Sequence, residues 1–222
     1  MIAKDEFIES LQNALSYWGA TTQAEVLSLL GQDAAVMVGY DQHNPHHCYT
    51  LFEHCLHAVD NLDRNASVEL KVAAFFHDIG KPRVAAPKDG RLTFHGHAKA
   101  SGIIAEPLLK QLGFNEEEQR RILFFIVHHD DFINYQLIKD KQKWHCAITD
   151  ENIDRYKNKV MLQNPWLKER DLLELVRLCK ADVSAQSEIV YMKGVFKDSK
   201  IKKLARIKAI KYFLFHEPKR IE

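Results

Sequence analysis

An apolar run, Leu70 to Phe76, ends in His77-Asp78-Ile79-Gly80-Lys81-Pro82, and no other stretch restricts the architecture as strongly. Neither hydrophobic patterning nor helix capping asks for two metal-capable side chains where a buried helix runs out. Imidazole beside carboxylate suits a divalent transition metal, and a lysine within one turn is placed to reach a phosphate oxygen on that ion. A metal needs more ligands than one doublet supplies, so this reading obliges other segments to converge on His77 and Asp78. The other reading, a satisfied buried histidine beside a helix-terminal aspartate, asks nothing of the rest of the chain. Ligands elsewhere decide between them.

Two segments offer such ligands. His54 lies in Leu51 to Val59, a short amphipathic helix ahead of the doublet. Asp182 follows Leu172, Leu175 and Leu178 or Cys179 at spacings of three and four, so its carboxylate shares the face of the leucines. A buried carboxylate must be paired or metal-bound, because an isolated one costs several kcal/mol or neutralises itself. His54, His77 and Asp78 supply the partner, giving a two-His, two-Asp site drawn from three helices. His97, at the start of a helix over Gly96 to Ala105, and His128-His129-Asp130, closing Ile122 to Val127, add the ligands a second ion needs. Two ions sharing a bridging hydroxide attack phosphoesters. The alternative for His97 and the 128–129 pair is contact with phosphate or support of the inner ligands.

The succession His54, His77-Asp78, His97, His129, Asp182 resembles the HD superfamily of metal-dependent phosphohydrolases. Gln42-His43-Asn44-Pro45-His46-His47 leading to Phe52-Glu53-His54, then Gly80-Lys81-Pro82, Thr93-Phe94-His95-Gly96-His97, Phe125 to Asp130 and Leu172 to Gln186 are similar to the HD domain downstream of the catalytic head in bacterial tRNA nucleotidyltransferases of the poly(A) polymerase type. The likeness spans roughly residues 40 to 190. It implies an all-α HD-domain helical bundle with a metal site in its core pocket. Of the 128–129 doublet it favours His129, and it puts His47 in the pocket wall. Residues 1 to 40 carry no Gly-Gly and paired-carboxylate signature of a nucleotidyltransferase head, so the chain is not expected to add CCA. Where family members often carry Asp, this chain has Thr50.

Composition agrees with a compact enzyme. A chain of 222 residues, 46% hydrophobic and 27% charged, can bury one sizeable core. Its 31 basic and 30 acidic residues leave no reason to expect nonspecific duplex binding, although local charge at a metal site still admits small anions. The four cysteines, Cys48, Cys55, Cys146 and Cys179, form no Cys-x-x-Cys pair; the first residues read as no signal peptide, and no apolar run reaches membrane-spanning length. A cytoplasmic protein without a membrane partner is expected; oligomeric state is not legible.

Helical periodicity dominates. We expect one domain over 1–222, with N-terminal helices in 1–39, the HD core in 40–190 and a C-terminal helix in 191–222. Phe7, Ile8, Leu11, Leu15 and Trp18 predict one helix ending near Gly19, and Ala24 to Leu30 a second ending at Gly31. Tyr40 to Thr50 reads as a loop; His43, His46, His47 and Cys48 are too tightly clustered for a zinc knuckle. Arg83 to His95 reads as a flap turning at Asp89-Gly90, its Arg83, Lys88 and Arg91 either solvated or meeting a phosphate. Asp130 to Pro165, with Phe132, Tyr135 and Trp144, predicts short helices. Lys197 to Arg220 predicts a helix with an apolar stripe of Ile201, Leu204, Ile207, Ile210 and Phe213, its lysines forming a solvated face or a surface for RNA or an acidic partner.

The expected function is hydrolysis of a phosphomonoester or phosphodiester in a nucleotide, cyclic phosphate or RNA end. One or two divalent ions (Mn, Ni, Co, Fe, Mg or Zn) would be held by His54, His77, Asp78, His97, His129 and Asp182. Asp78 would bridge the nucleophile, Lys81 would pair with a phosphate oxygen, and His47 and Arg83 would contact substrate. The rivals are a metal-containing module that binds RNA or a partner without turnover, a di-iron oxygenase on the same ligands, and a helical domain with no metal.

Overall fold

The computed structural model describes residues 2–133, 137–140, 143–146, 148–192 and 194–215. Its helices are α1 (Lys4–Ser10), α2 (Ala14–Trp18), α3 (Gln23–Leu30), α4 (Gln32–Ala35), α5 (Leu51–Asp60), α6 (Val68–Phe76), α7 (Lys81–Val84), α8 (His97–Gln111), α9 (Glu116–His128), α10 (Asp150–Gln163), α11 (Glu169–Ser184) and α12 (Ser199–Phe215). Three antiparallel hairpins interrupt them: β1 (Ala86–Lys88) with β2 (Arg91–Thr93), β3 (Leu137–Asp140) with β4 (Lys143–Cys146), and β5 (Ile189–Met192) with β6 (Val195–Asp198). The fold is the expected all-α one. No described helix is long and apolar enough to cross a membrane.

At the centre α5 and α6 pack on each other, α6 packs on α9, and α11 lies against α5 and α6. Beneath them the N-terminal segment inserts an aromatic cluster. Phe75 meets Phe7, Trp18 and Phe52 edge-on or tilted at centroid distances of 5.4, 5.6 and 5.7 Å. The buried Trp18 indole donates to Ser10 Oγ at 2.8 Å, and Ser10 Oγ donates to Phe7 O at 2.6 Å. These contacts clamp the end of α6 just before His77.

The single helix expected over Phe7 to Trp18 is three pieces, with a 3₁₀ turn over Leu11–Asn13 between α1 and α2. Ser10 hydrogen-bonds back to the backbone, and Asn13 leaves helical conformation at φ −139°, ψ 62°; both residue types compete locally with a helix ladder. The segment after Asp130 also departs from expectation, forming the β3–β4 hairpin and one 14-residue helix, α10, capped by Thr149 Oγ1 on the Asn152 amide. Phe132 is buried against Tyr156; Tyr135 and the side chains of Trp144 and Cys146 lie outside the described residues. In α12 the buried positions are Ile207, Ile210 and Leu214, while Ile201 is 64% exposed. The expected stripe is kept at Leu204, Ile207, Ile210 and Phe213, which bury into or pack on the core, and only Ile201 leaves it. Residues 216–220 of the expected helix lie outside the described residues.

Gly80 sets the distance between α7 and α8. Its φ of −80° is ordinary, but a Cβ there would meet Ser101 N at 2.4 Å and the Ala100 carbonyl carbon at 2.7 Å, and its amide donates to Ser101 Oγ at 2.9 Å. Gly80→Ala is expected to destabilise the protein by about 1–3 kcal/mol, because backbone atoms cannot yield as a side-chain tip can. Urea denaturation measures this; an unchanged midpoint would show that α8 shifts freely.

Candidate metal centre

The histidines owe their orientation to main-chain carbonyls. His77 and His129 each follow the last residue of a helix, where carbonyls lack intrahelical partners. His77 Nδ1 lies 2.7 Å from Ala74 O, and His129 Nδ1 lies 2.7 Å from Ile126 O. His97, the first residue of α8, places Nδ1 2.8 Å from Phe94 O, and His54 reaches across to Ala185 O at the end of α11, 3.2 Å away. A carbonyl can only accept, so each Nδ1 carries the proton. In the neutral ring each Nε2 then presents a lone pair.

Those four lone pairs converge. The Nε2 atoms of His54 and His77 lie 3.3 Å apart, and those of His97 and His129 3.1 Å. Asp78 Oδ2 sits 3.2 Å from His77 Nε2 and 3.4 Å from His54 Nε2, while Oδ1 of the same carboxylate sits 3.2 Å from His97 Nε2 and 3.6 Å from His129 Nε2. Asp182 Oδ1 completes the first pair at 3.0 Å from His54 and 3.8 Å from His77. Lone pairs facing lone pairs make no hydrogen bonds, so positive charge must lie between them. Asp78 Oδ1 is buried without a hydrogen-bond partner, because His97 and His129 hold their protons on the far nitrogen. Separations of this size are those of ligands about 2.0–2.2 Å from a shared ion. Buried groups able to hold a metal form around His54, His77 and Asp182 and around His77, Asp78 and His129. The donors, imidazole nitrogen and carboxylate oxygen, fit a divalent transition metal.

Without an ion, protons must supply that charge. Burial alone would lower the His77 pKa, but the Asp78 carboxylate raises it well above the ordinary imidazole value. Burial would raise Asp78, yet the His77 and Lys81 charges hold it well below the usual carboxylate range; hydrogen bonds from His54 and His77 do the same for Asp182. His47 shifts well below, through burial and then the Lys81 charge.

Lys81 is buried and paired with Asp78 Oδ2 at 2.6 Å; it also donates to Gln42 Oε1 at 2.8 Å and lies 3.3 Å from His47 Nε2. The His47 ring packs edge-on against His54 with centroids 4.9 Å apart. Above the cluster opens a cavity of about 410 Å³, reached by Lys81, His47, Lys88, Arg91, His97 and Lys203 among others. Arg83 is exposed and does not line it, because α7 turns that side chain outward; of the flap cations, Lys88 and Arg91 line the cavity. His128 turns to Asp131, 2.7 Å away, and the exposed His43 to Asp41. His46 Nδ1 meets Ser199 Oγ, and burial with the Lys203 and Arg91 charges lowers its pKa to about 4. Thr50 caps α5, its hydroxyl donating to Glu53.

Sequence reasoning missed Gln42, Gln186 and Lys203. Gln186 Nε2 donates to Asp182 Oδ1 at 3.1 Å, and Lys203 Nζ donates to Gln186 Oε1 at 2.5 Å. Gln186 stands four residues after Asp182, a helical spacing that could have found it although α11 ends at Ser184, whereas Lys203 is one of several α12 lysines and only packing picks it out. Gln42 sits in a loop without periodicity and had no such signal.

Asp182→Ala is expected to abolish tight ion binding and lower stability, and His43→Ala to do neither; elemental analysis and thermal denaturation measure both. Likewise His129→Ala should reduce bound metal more than His128→Ala, and the reverse order would contradict the geometry. The protonation pattern also has a sign. His77, raised in the fold, stabilises metal-free protein below its unfolded pKa of about 6.5, and that contribution disappears as pH rises through the folded value; Asp78 and Asp182 contribute above about pH 4 and lose this as pH falls. Metal-free protein should therefore lose stability toward alkaline pH, and a bound divalent ion should remove that loss and release protons on binding. Melting temperatures against pH, with and without the ion, test this.

A family model for the HD domain matches residues 46–185. The chain is 40% identical over 101 residues to a CC-adding tRNA nucleotidyltransferase of Thermus thermophilus, an alignment covering 42% of this chain and only 23% of that relative. No solved structure matches. The match spans every element that brings a histidine or aspartate to the cluster, and the chain belongs to the HD domain family.

Proposed function

We propose that this protein hydrolyses a phosphomonoester or phosphodiester in a small nucleotide-type substrate, with one or two divalent ions held by His54, His77, Asp78, Asp182, His97 and His129. The observation that carries this reading is the Asp78 carboxylate, whose two oxygens face two separate histidine pairs at the floor of a cation-lined cavity. HD family membership supports metal-dependent phosphoester hydrolysis in general, and the tRNA nucleotidyltransferase relative supports a nucleotide. The cavity volume suits a small molecule.

An ion held by these histidines and aspartates would supply acidity to a water and would take up charge on phosphoryl oxygens. The chain's residues supply position. Asp78 spans the ion-holding groups, and Lys81 keeps it oriented through the 2.6 Å pair while its other N–H donors meet Gln42 and His47 at the cavity wall. Gln42 and His47 hold the Lys81 ammonium, and an entering phosphate oxygen can replace the His47 contact. His47 is suited to that exchange because burial and Lys81 keep it neutral.

Protein loaded with manganese, nickel, cobalt or iron is expected to cleave an aryl phosphate or bis-aryl phosphodiester. Asp78→Asn keeps the shape, removes the charge, and should lose about 10³-fold or more in rate along with metal content. Lys81→Met should retain metal and lose about 10²–10³-fold, the worth of one oriented charge in a water-poor site. A metal-replete protein that cleaves no activated ester or nucleotide overturns the proposal; oxygen uptake by the iron form would point to the oxygenase.

A further inference from the structure

Of three further cations at the cavity, Lys88 and Arg91 bond to no residue of the metal cluster and Lys203 reaches it only through Gln186. Lys88 and Arg91 face each other directly across the β1–β2 hairpin, where like charges oppose pairing. Neither enters an ion pair with a carboxylate among the described residues. The hairpin is nevertheless held in place, since Leu92 N donates to His43 O at 3.0 Å and Asn44 Nδ2 donates to Leu92 O at 3.0 Å. Lys203 comes from α12, beyond the residues the family model matches, and Gln186 alone separates it from Asp182. Lys81 pairs with Asp78, and Asp78 and Asp182 belong to the cluster, so among the described residues Asp130 is the one remaining carboxylate in a lining that holds Lys88, Arg91 and Lys203.

We propose that Lys88, Arg91 and Lys203 form a second anion subsite, which takes a phosphate other than the one cleaved. The substrate class is then a small nucleotide carrying phosphates at two positions, one over the metal cluster and one between flap and α12. This rests on the hydrolytic reading for which phosphate is cleaved, but not for whether the second one binds. Removing one charge-assisted hydrogen bond to a phosphate lowers affinity by about ten-fold or more.

The test compares adenosine 5′-monophosphate with adenosine 3′,5′-bisphosphate on metal-loaded wild type, Arg91→Met and Lys203→Met, by calorimetric binding and by phosphate release. Wild type is expected to favour the bisphosphate at least about ten-fold, in binding and in kcat/KM. Each variant should lose at least about ten-fold more on the bisphosphate than on the monophosphate, through KM rather than kcat. Arg91→Met touches no cluster residue, so it remains decisive if Lys203→Met loosens Asp182, which metal content reports. Equal losses on both nucleotides, or no wild-type preference, overturn the subsite. Bisphosphate bound tightly but never cleaved keeps the subsite and sinks hydrolysis; monophosphate cleaved without preference does the reverse; neither bound nor cleaved sinks both.

Discussion

The hydrogen bond from an imidazole Nδ1 to a main-chain carbonyl is the interaction on which the rest of this site depends. It is made four times, on Ala74, Phe94, Ile126 and Ala185, and each time it turns the other ring nitrogen inward as an acceptor. Two of these carbonyls belong to helix ends that would otherwise need a partner. One bond thus satisfies the helix and fixes the tautomer. The resulting cluster is unstable by itself, since acceptors face acceptors around two carboxylates, and only cationic charge reconciles them.

Holding such a cluster requires a rigid frame. The aromatic contacts around Phe75 and the Trp18–Ser10–Phe7 chain fix the end of α6, and the close approach at Gly80 brings α7, with Lys81, against α8. Cys179 adds a sulfur-to-carbonyl hydrogen bond at His129 O of 2.9 Å, tying α11 to the end of α9. Packing far from the chemistry in sequence therefore decides ligand separations to within tenths of an ångström, which is the tolerance of metal coordination.

Above that frame, charge is divided by position. Lys81 lies deep and is committed to Asp78, whereas Lys88, Arg91 and Lys203 surround the opening. The division follows from geometry: α7 places Lys81 three residues after Asp78, so the two meet within one turn, while the flap and α12 approach from outside the helical core. Arg83, two residues on from Lys81, points outward for the same reason.

Much of this was legible in the chain itself. The 3.6-residue period of Leu172, Leu175, Leu178 and Asp182 forces that carboxylate inward in any helical fold, and His77-Asp78 at the end of an apolar helix offers two metal-capable side chains. The all-α class and the flap turning at Asp89-Gly90 were likewise matters of local periodicity and turn chemistry. The breaks at Ser10 and Asn13 and the β3–β4 hairpin were not, since they arise where local side-chain bonds or pairing compete with propensity. Periodicity could not separate His129 from His128, which only the family resemblance favoured; adjacent residues at a helix end differ by about 100° in direction, and packing against α8 and α11 selects one. The tertiary structure alone turned Lys203 inward and Arg83 outward, since which side of an amphipathic helix meets the core depends on the neighbours it packs against.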